Sequence, residues 1–257
     1  SRISVVSATW RLPRTPREKM NSVQPLVFEK YIQVAANVAQ RRLEALLRSQ
    51  DIPAAQVQCS FFQSENYLED RKFEIVVKVA PTHAHSAIGA IAVVMSSISS
   101  GKAGADEFKD AARIYFNDRM ALEKTLSNSN YVRRCVSAFL YNESLASEAD
   151  ERRFLMTRSM SDESELAIFK SIVNASFKSD LNVDLNCITP DGRFSSSDVK
   201  GIFEDSWCEK VDFPYENPEL SYALPTAKIK VSSVKKEYLT GGSVWTLSNG
   251  MRVIVKK

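Results

Sequence analysis

Between residues 26 and 126 the apolar period of this chain switches from helical to extended and back to helical, which limits it to a mixed α and β fold. Residues 26–49 carry Val27, Tyr31, Val34, Val38, Leu43 and Leu46 at helical spacing, with Gln40, Arg41 and Glu44 on the wet side. Asp51-Ile52-Pro53 ends that stretch, because the residue before a proline is pushed out of helical conformation. Two extended runs follow, VQCSFFQS and RKFEIVVKVA, joined by the polar ENYLED, and they read as an antiparallel hairpin. Pro81 stops the second run. THAHSAIGAIAVVMSSIS then reads as a helix whose small side chains permit close packing, and Gly101 and Gly104 separate it from another over residues 106–126. The stripe of that later helix is Phe108, Ala112, Tyr115 and Leu122.

The flanks extend the pattern. RISVVSATW opens the chain as a strand on Ile3, Val5, Ala8 and Trp10, with Val6 spoiling a strict alternation, and a loop with Pro13 and Pro16 runs up to Pro25. Beyond the polar SNSN, a helix is expected on Tyr131, Val132, Cys135, Val136, Phe139 and Leu140, then a short charged one over residues 148–158. SDESELAIFKSIVNASF places acids in a first helical turn, where the helix dipole favours them, and turns Leu166, Phe169 and Val173 inward. LNVDLNCI is a strand closed by TPDG. SSSDVKGIFEDSW is a last helix, capped by Ser195 or Ser196, with Val199, Ile202, Phe203 and Trp207 facing in.

After this α+β domain of residues 1–208 the character changes. Residues 209–244, with Pro214, Pro218, Pro225 and Gly241-Gly242, read as an interdomain linker. The closing WTLSNGMRVIVKK, residues 245–257, reads as strand, Asn249-Gly250 turn and strand: the truncated first hairpin of a following domain. With Ser1 in place of an initiator Met, the expectation is a piece of a longer protein.

Composition narrows the function classes. A net charge of +3, from 34 basic and 31 acidic side chains, leaves no nucleic-acid or membrane footprint. The longest apolar run, residues 87–95, falls far short of the roughly 20 residues of a membrane span. Cys59, Cys135, Cys187 and Cys208 form no Cys-x-x-Cys pair, which argues against a zinc ribbon or a redox motif. Burial as small hydrophobes is the expectation, with one or two disulfides left open. His83 and His85 stand in APTHAH at a strand end, where several barrel hydrolases begin a metal site, but the chain holds no third histidine. Exposed imidazoles in a strand-to-helix loop are expected instead. Arg41-Arg42, Arg133-Arg134, Arg152-Arg153 and Lys235-Lys236 read as solvated faces, and no glycine-rich phosphate loop is present. No catalytic, cofactor-binding or metal-binding residue is assigned.

Four segments carry a resemblance: NVAQRRLEALLRS, APTHAHSAIGAIAVVMSSISSGKAGADEFKDAARIYF, SNSNYVRRCVSAFLYNES and LNCITPDG. Together they resemble the catalytically silent domain that follows the zinc domain in pitrilysin/insulinase-type zinc peptidases. WTLSNGMRVIV is similar to the Leu-x-Asn-Gly-x-x-Val-x-Val opening of each domain pair in that family. The resemblance implies a two-layer α/β sandwich with a mostly antiparallel sheet and helices on one face. It implies a non-catalytic, chamber-forming domain of a zinc metalloendopeptidase, inactive alone. Its partners would be the other domains of the polypeptide and the parent's peptide substrates, with no nucleic acid or membrane. Zinc is expected in the parent's first domain on His-x-x-Glu-His, a motif absent here, so no cofactor is expected in this segment. Some members use an Arg and a Tyr seven residues apart to hold the reacting carbonyl; Arg48 stands at the first position, but Ala55 at the second. A periplasmic or envelope location is the family expectation. An apolar patch should lie exposed where the zinc domain packs. The alternative is a purely architectural core-subunit domain of the same fold, and a metal hydrolase built on His83 and His85 ranks last.

Overall fold

The computed structural model describes residues 3–62, 71–123, 127–158, 163–178, 183–190, 192, 194–213, 230–237 and 241–255. In chain order the elements are β1 (Ser4–Leu12), α1 (Val23–Ser49), β2 (Ala54–Phe62), β3 (Arg71–Val79), α2 (Ala84–Ser99), α3 (Ala105–Glu123) and α4 (Asn128–Tyr141). Next come α5 (Glu148–Thr157), α6 (Glu163–Ser176), β4 (Val183–Ile188), α7 (Ser196–Trp207), β5 (Val231–Glu237), β6 (Gly242–Leu247) and β7 (Arg252–Val255). They fall into two units, Ser1–Asn217 and Pro218–Lys257. The connector ENYLED, Leu126 and the three linker prolines lie outside the described residues.

The first unit is built on an antiparallel sheet of order β2-β3-β1-β4. Alternation in β1 is strict, and of the expected apolar set Ala8 and Trp10 lie on the buried face while Ile3 and Val5 do not. Val6, Ala8, Trp10 and Leu12 are buried, while Ile3 is exposed and Val5 only half-covered. Register explains the choice, because Val6, Ala8 and Trp10 stand opposite Val77, Ile75 and Phe73 of β3, all on the face the helices cover. Trp10 packs edge-on to Phe73 at 5.9 Å and Phe177 at 6.0 Å between ring centroids.

Helix α1 begins three residues earlier than its apolar stripe suggests. The Ser22 hydroxyl accepts from the Gln24 N–H at 3.2 Å, and Pro25 falls within the first turn, where its missing N–H has no helical partner to lose. Helix α2 buries Ile88, Ile91, Val94, Met95 and Ile98 and lies against β1, α1, α6 and α7. Gly89 sets the approach of α7: a Cβ there would stand 2.9 Å from Ser206 Oγ. Ser96 locks the pair by donating to the Trp207 carbonyl at 2.6 Å. Ser195 is the cap of α7, exchanging hydrogen bonds with Asp198.

The second unit is a meander of order β5-β6-β7. The Asn249-Gly250 turn forms as expected, with Gly250 at a φ of 83°. Strand β5, however, lies inside the stretch read as linker. Its residues 231–236 are all exposed, so it carries no apolar alternation to find; backbone pairing with β6 makes it a strand.

Candidate functional site

His83 ends a 3-10 turn, Pro81–His83, that leads from β3 into α2, and His85 lies in the first turn of α2. His85 is exposed and His83 half-buried. Both line a cavity of about 360 Å³ with Gln50, Ile52, Ser206 and Glu209. Among the described residues no group of three or more His, Cys, Asp or Glu side chains could hold a metal ion. The cysteines depart from expectation. All four are free, Cys135 and Cys208 are exposed, and Cys59 and Cys187 are half-buried with thiols pushed up by desolvation. Arg48 is exposed near the end of α1, and Ala55 sits in the β2 bulge between Ala54 and Gln56. The alanine offers no phenol for a reacting carbonyl.

The arginine pairs are not uniformly solvated. Arg42 is buried and grips Glu107 of α3 through two bonds, 2.7 Å and 2.6 Å, while donating to Ser97 Oγ at 2.9 Å. It stitches α1 to α3. A second cluster lies deeper, where Lys30 and Tyr31 of α1 both donate to Glu165 Oε2 of α6, the Lys30 bond being 3.1 Å. Arg158 donates to Glu165 Oε1 at 2.7 Å. Desolvation works to raise the Glu165 carboxyl, but the hydrogen bonds from Tyr31, Lys30 and Arg158 outweigh it and hold the group below its ordinary value. Burial pushes the Lys30 ammonium down. Lys30 lies on the apolar side of a helix, where periodicity alone hides a cation; the only sequence signal is an acid in a distant helix start.

A third cluster ties the outer helices together. Arg119 of α3 donates to Glu148 at 2.7 Å, Glu151 at 2.9 Å and Glu29 at 3.3 Å. Arg134 of α4 reaches the same two α5 carboxylates at 2.8 Å and 2.9 Å, and the Ala146 carbonyl. Desolvation raises the Glu29 and Glu151 carboxyls above their ordinary value despite these cations. Helix α4 is therefore turned inside out. Arg134 and Ser137 face the body, whereas Tyr131, Val132, Cys135, Val136, Phe139 and Leu140 face away, Phe139 at 85% exposure. The expectation was an exposed apolar patch where the zinc domain packs; α4 carries an exposed apolar patch.

No protein-family model and no curated protein matches the chain. Solved structures do. The periplasmic protease PqqL from Escherichia coli superposes with a TM-score of 0.57 at 15% identity, over 100% of this chain and 29% of that one. The first half of the same protease gives 0.58 at 11% identity, over 84% of this chain and 46% of that one. A predicted insulinase family protease from Yersinia pestis gives 0.58 at 10% identity, over 79% and 43%. The chain has the insulinase-type peptidase fold. At these identities the likeness is one of fold, and the chain spans less than half the length of each of these proteins. The insulinase-type fold is the α+β arrangement expected, with one sheet face under helices and β2 and β4 left as sheet edges. No described helix is long and apolar enough to cross a membrane.

Proposed function

We propose that this segment is a non-catalytic, substrate-enclosing domain of a longer zinc-dependent metallopeptidase with the insulinase-type fold. The observation that carries the reading is the extent of the likeness. The match to complete PqqL takes in the whole chain, whereas the match to its first half takes in 84%, the share that Ser1–Asn217, 217 of 257 residues, makes up. On this reading the first unit closes one half of the polypeptide and the β5–β7 meander opens the next. The zinc site belongs to the domain before Ser1. The domain completes the wall of a chamber, and its uncovered sheet face and the edges at β2 and β4 are the surfaces offered to extended peptides. The compartment is the periplasm or cell envelope, as in the protease it resembles.

The test compares the full natural polypeptide with residues 1–217, each incubated with an unstructured peptide, with zinc and with chelator. The full polypeptide should cleave and lose activity on chelation, and the segment should not cleave under any condition. Chelator-sensitive cleavage by the segment alone would overturn the reading. A full polypeptide that neither cleaves nor carries His-x-x-Glu-His upstream would assign the domain an architectural role instead.

A further inference from the structure

We propose that the outward face of α4 is the docking surface for the companion peptidase-fold domain of the same polypeptide; this rests on the function proposed above and names the surface it leaves open. The starting point is the direction of the helix. Tyr131, Val132, Val136, Phe139 and Leu140 are all large, apolar and exposed, and they lie on one side of ten residues, about 15 Å of helix. The side that faces the body is polar, with Ser137 buried and Arg134 bonded to Glu148 and Glu151. The C-terminal end is pinned the same way, Asn142 donating to the Arg17 carbonyl at 3.0 Å. Ion pairs and hydrogen bonds thus fix α4 in an orientation that apolar packing within this unit would oppose. A helix held by its polar side presents its apolar side to something else.

The occupant follows from how little of its relatives the chain accounts for. It spans 46% of the first-half structure and 43% of the Yersinia pestis protein, so in each the part outside the match is larger than the part within it. A body of that size needs a contact face, and α4 supplies one whose aliphatic and aromatic side chains suit an apolar helix or groove on the companion. Binding of a second copy, or of an unrelated partner, would use the same chemistry; these are outcomes of the test.

Cys135 is the probe, because it is a free, exposed thiol on this face, while Cys208, also free and exposed, lies just past the end of α7. The full natural polypeptide is labelled with a small maleimide under native conditions, and the rate at each cysteine is read by mass spectrometry. Cys135 should react about tenfold more slowly than Cys208, and Phe139→Asp should raise the Cys135 rate alone by about the same factor. Cys59, half-buried in β2, reports on the fold of the variant. If it also becomes reactive, the unsubstituted comparison of Cys135 with Cys208 decides alone. Equal rates at Cys135 and Cys208 in a polypeptide that does hold a second peptidase-fold domain would overturn the docking assignment and leave the function standing. Protection that vanishes on dilution would give the face to a second copy and overturn it too. A full polypeptide with no second domain of this fold would overturn both.

Discussion

Helices α2 and α4 are close in length, 16 and 14 residues, yet the large apolar side chains of one are buried and those of the other are exposed. In α2 the side chains of Ile88, Ile91, Val94, Met95 and Ile98 are buried between the sheet and neighbouring helices, and burial of apolar area holds the helix in place. In α4 the comparable residues face out and Arg134 does the holding. Periodicity reports that a helix has an apolar face; what covers that face is decided by tertiary contacts. The two helices also differ in what a substitution should do, and that difference can be measured.

The largest effect is expected in the packed region, at Glu165. Its carboxylate is the hydrogen-bonded anion for Lys30, whose side chain is 0% exposed. Glu165→Ala would leave that ammonium buried without a counter-charge, at a cost of about 3–5 kcal/mol in urea denaturation. A loss no larger than that of an exposed pair would mean that Lys30 sheds its proton on folding, and that the pair does not anchor α6. Arg134→Met makes the corresponding cut at α4. It should cost about 1–3 kcal/mol, because two part-buried carboxylates lose one of their two guanidinium partners. The loss should also be local. Amide exchange should quicken through α4 and α5 while β1 and β3 keep their protection. Uniform loss of protection would erase the distinction between the two regions.

These two anchors mark what could be read beforehand. Helices, strands and the Asn249-Gly250 turn announce themselves through period and turn chemistry, and the structure places them nearly as expected. The phase of β1 could not be read, since Val5 and Val6 are both apolar and only pairing with β3 selects one face. Strand β5 was invisible because its residues 231–236 are all exposed. At the candidate sites, Arg42 and Arg134 looked like solvent-facing charges, and Lys30 gave no signal among its apolar neighbours; their partners Glu165, Glu107, Glu148 and Glu151 come from other helices, and no local pattern encodes such pairs. Pairing of that kind emerges only once the helices are packed.

Acid should separate the two clusters by sign. Glu165 is held below its unfolded value, so its stabilisation is complete above about pH 4.3 and is lost as pH falls through its lower folded pKa. Glu151 and Glu29 are held above theirs. They take up protons first in the folded state, which adds stability as pH falls through their folded pKa values toward about 4.3. In urea denaturation followed from neutral pH downward, Glu165→Gln should therefore flatten the acid loss, and Glu151→Gln should steepen it. Two variants that shift the curve in the same direction would show that the clusters do not differ in this way.

The smallest effect on stability is expected where the hydrophobicity is most conspicuous. Phe139→Ala removes a large aromatic side chain, a change that costs about 3–5 kcal/mol inside a core. At 85% exposure the ring has little protein around it to lose, so residues 1–217 should change by no more than about 0.5 kcal/mol. Phe169→Ala in α6, at 0% exposure and with its ring 5.0 Å from that of Phe108, supplies the contrast within the same molecule. The informative measurement is the pair of differences, segment against full polypeptide. If α4 is covered there, Phe139→Ala should become costly in the longer chain while the Phe169→Ala penalty stays about the same. A Phe139 penalty that is already large in the segment would mean that α4 folds its apolar side inward in solution, and the contrast between the two helices would disappear.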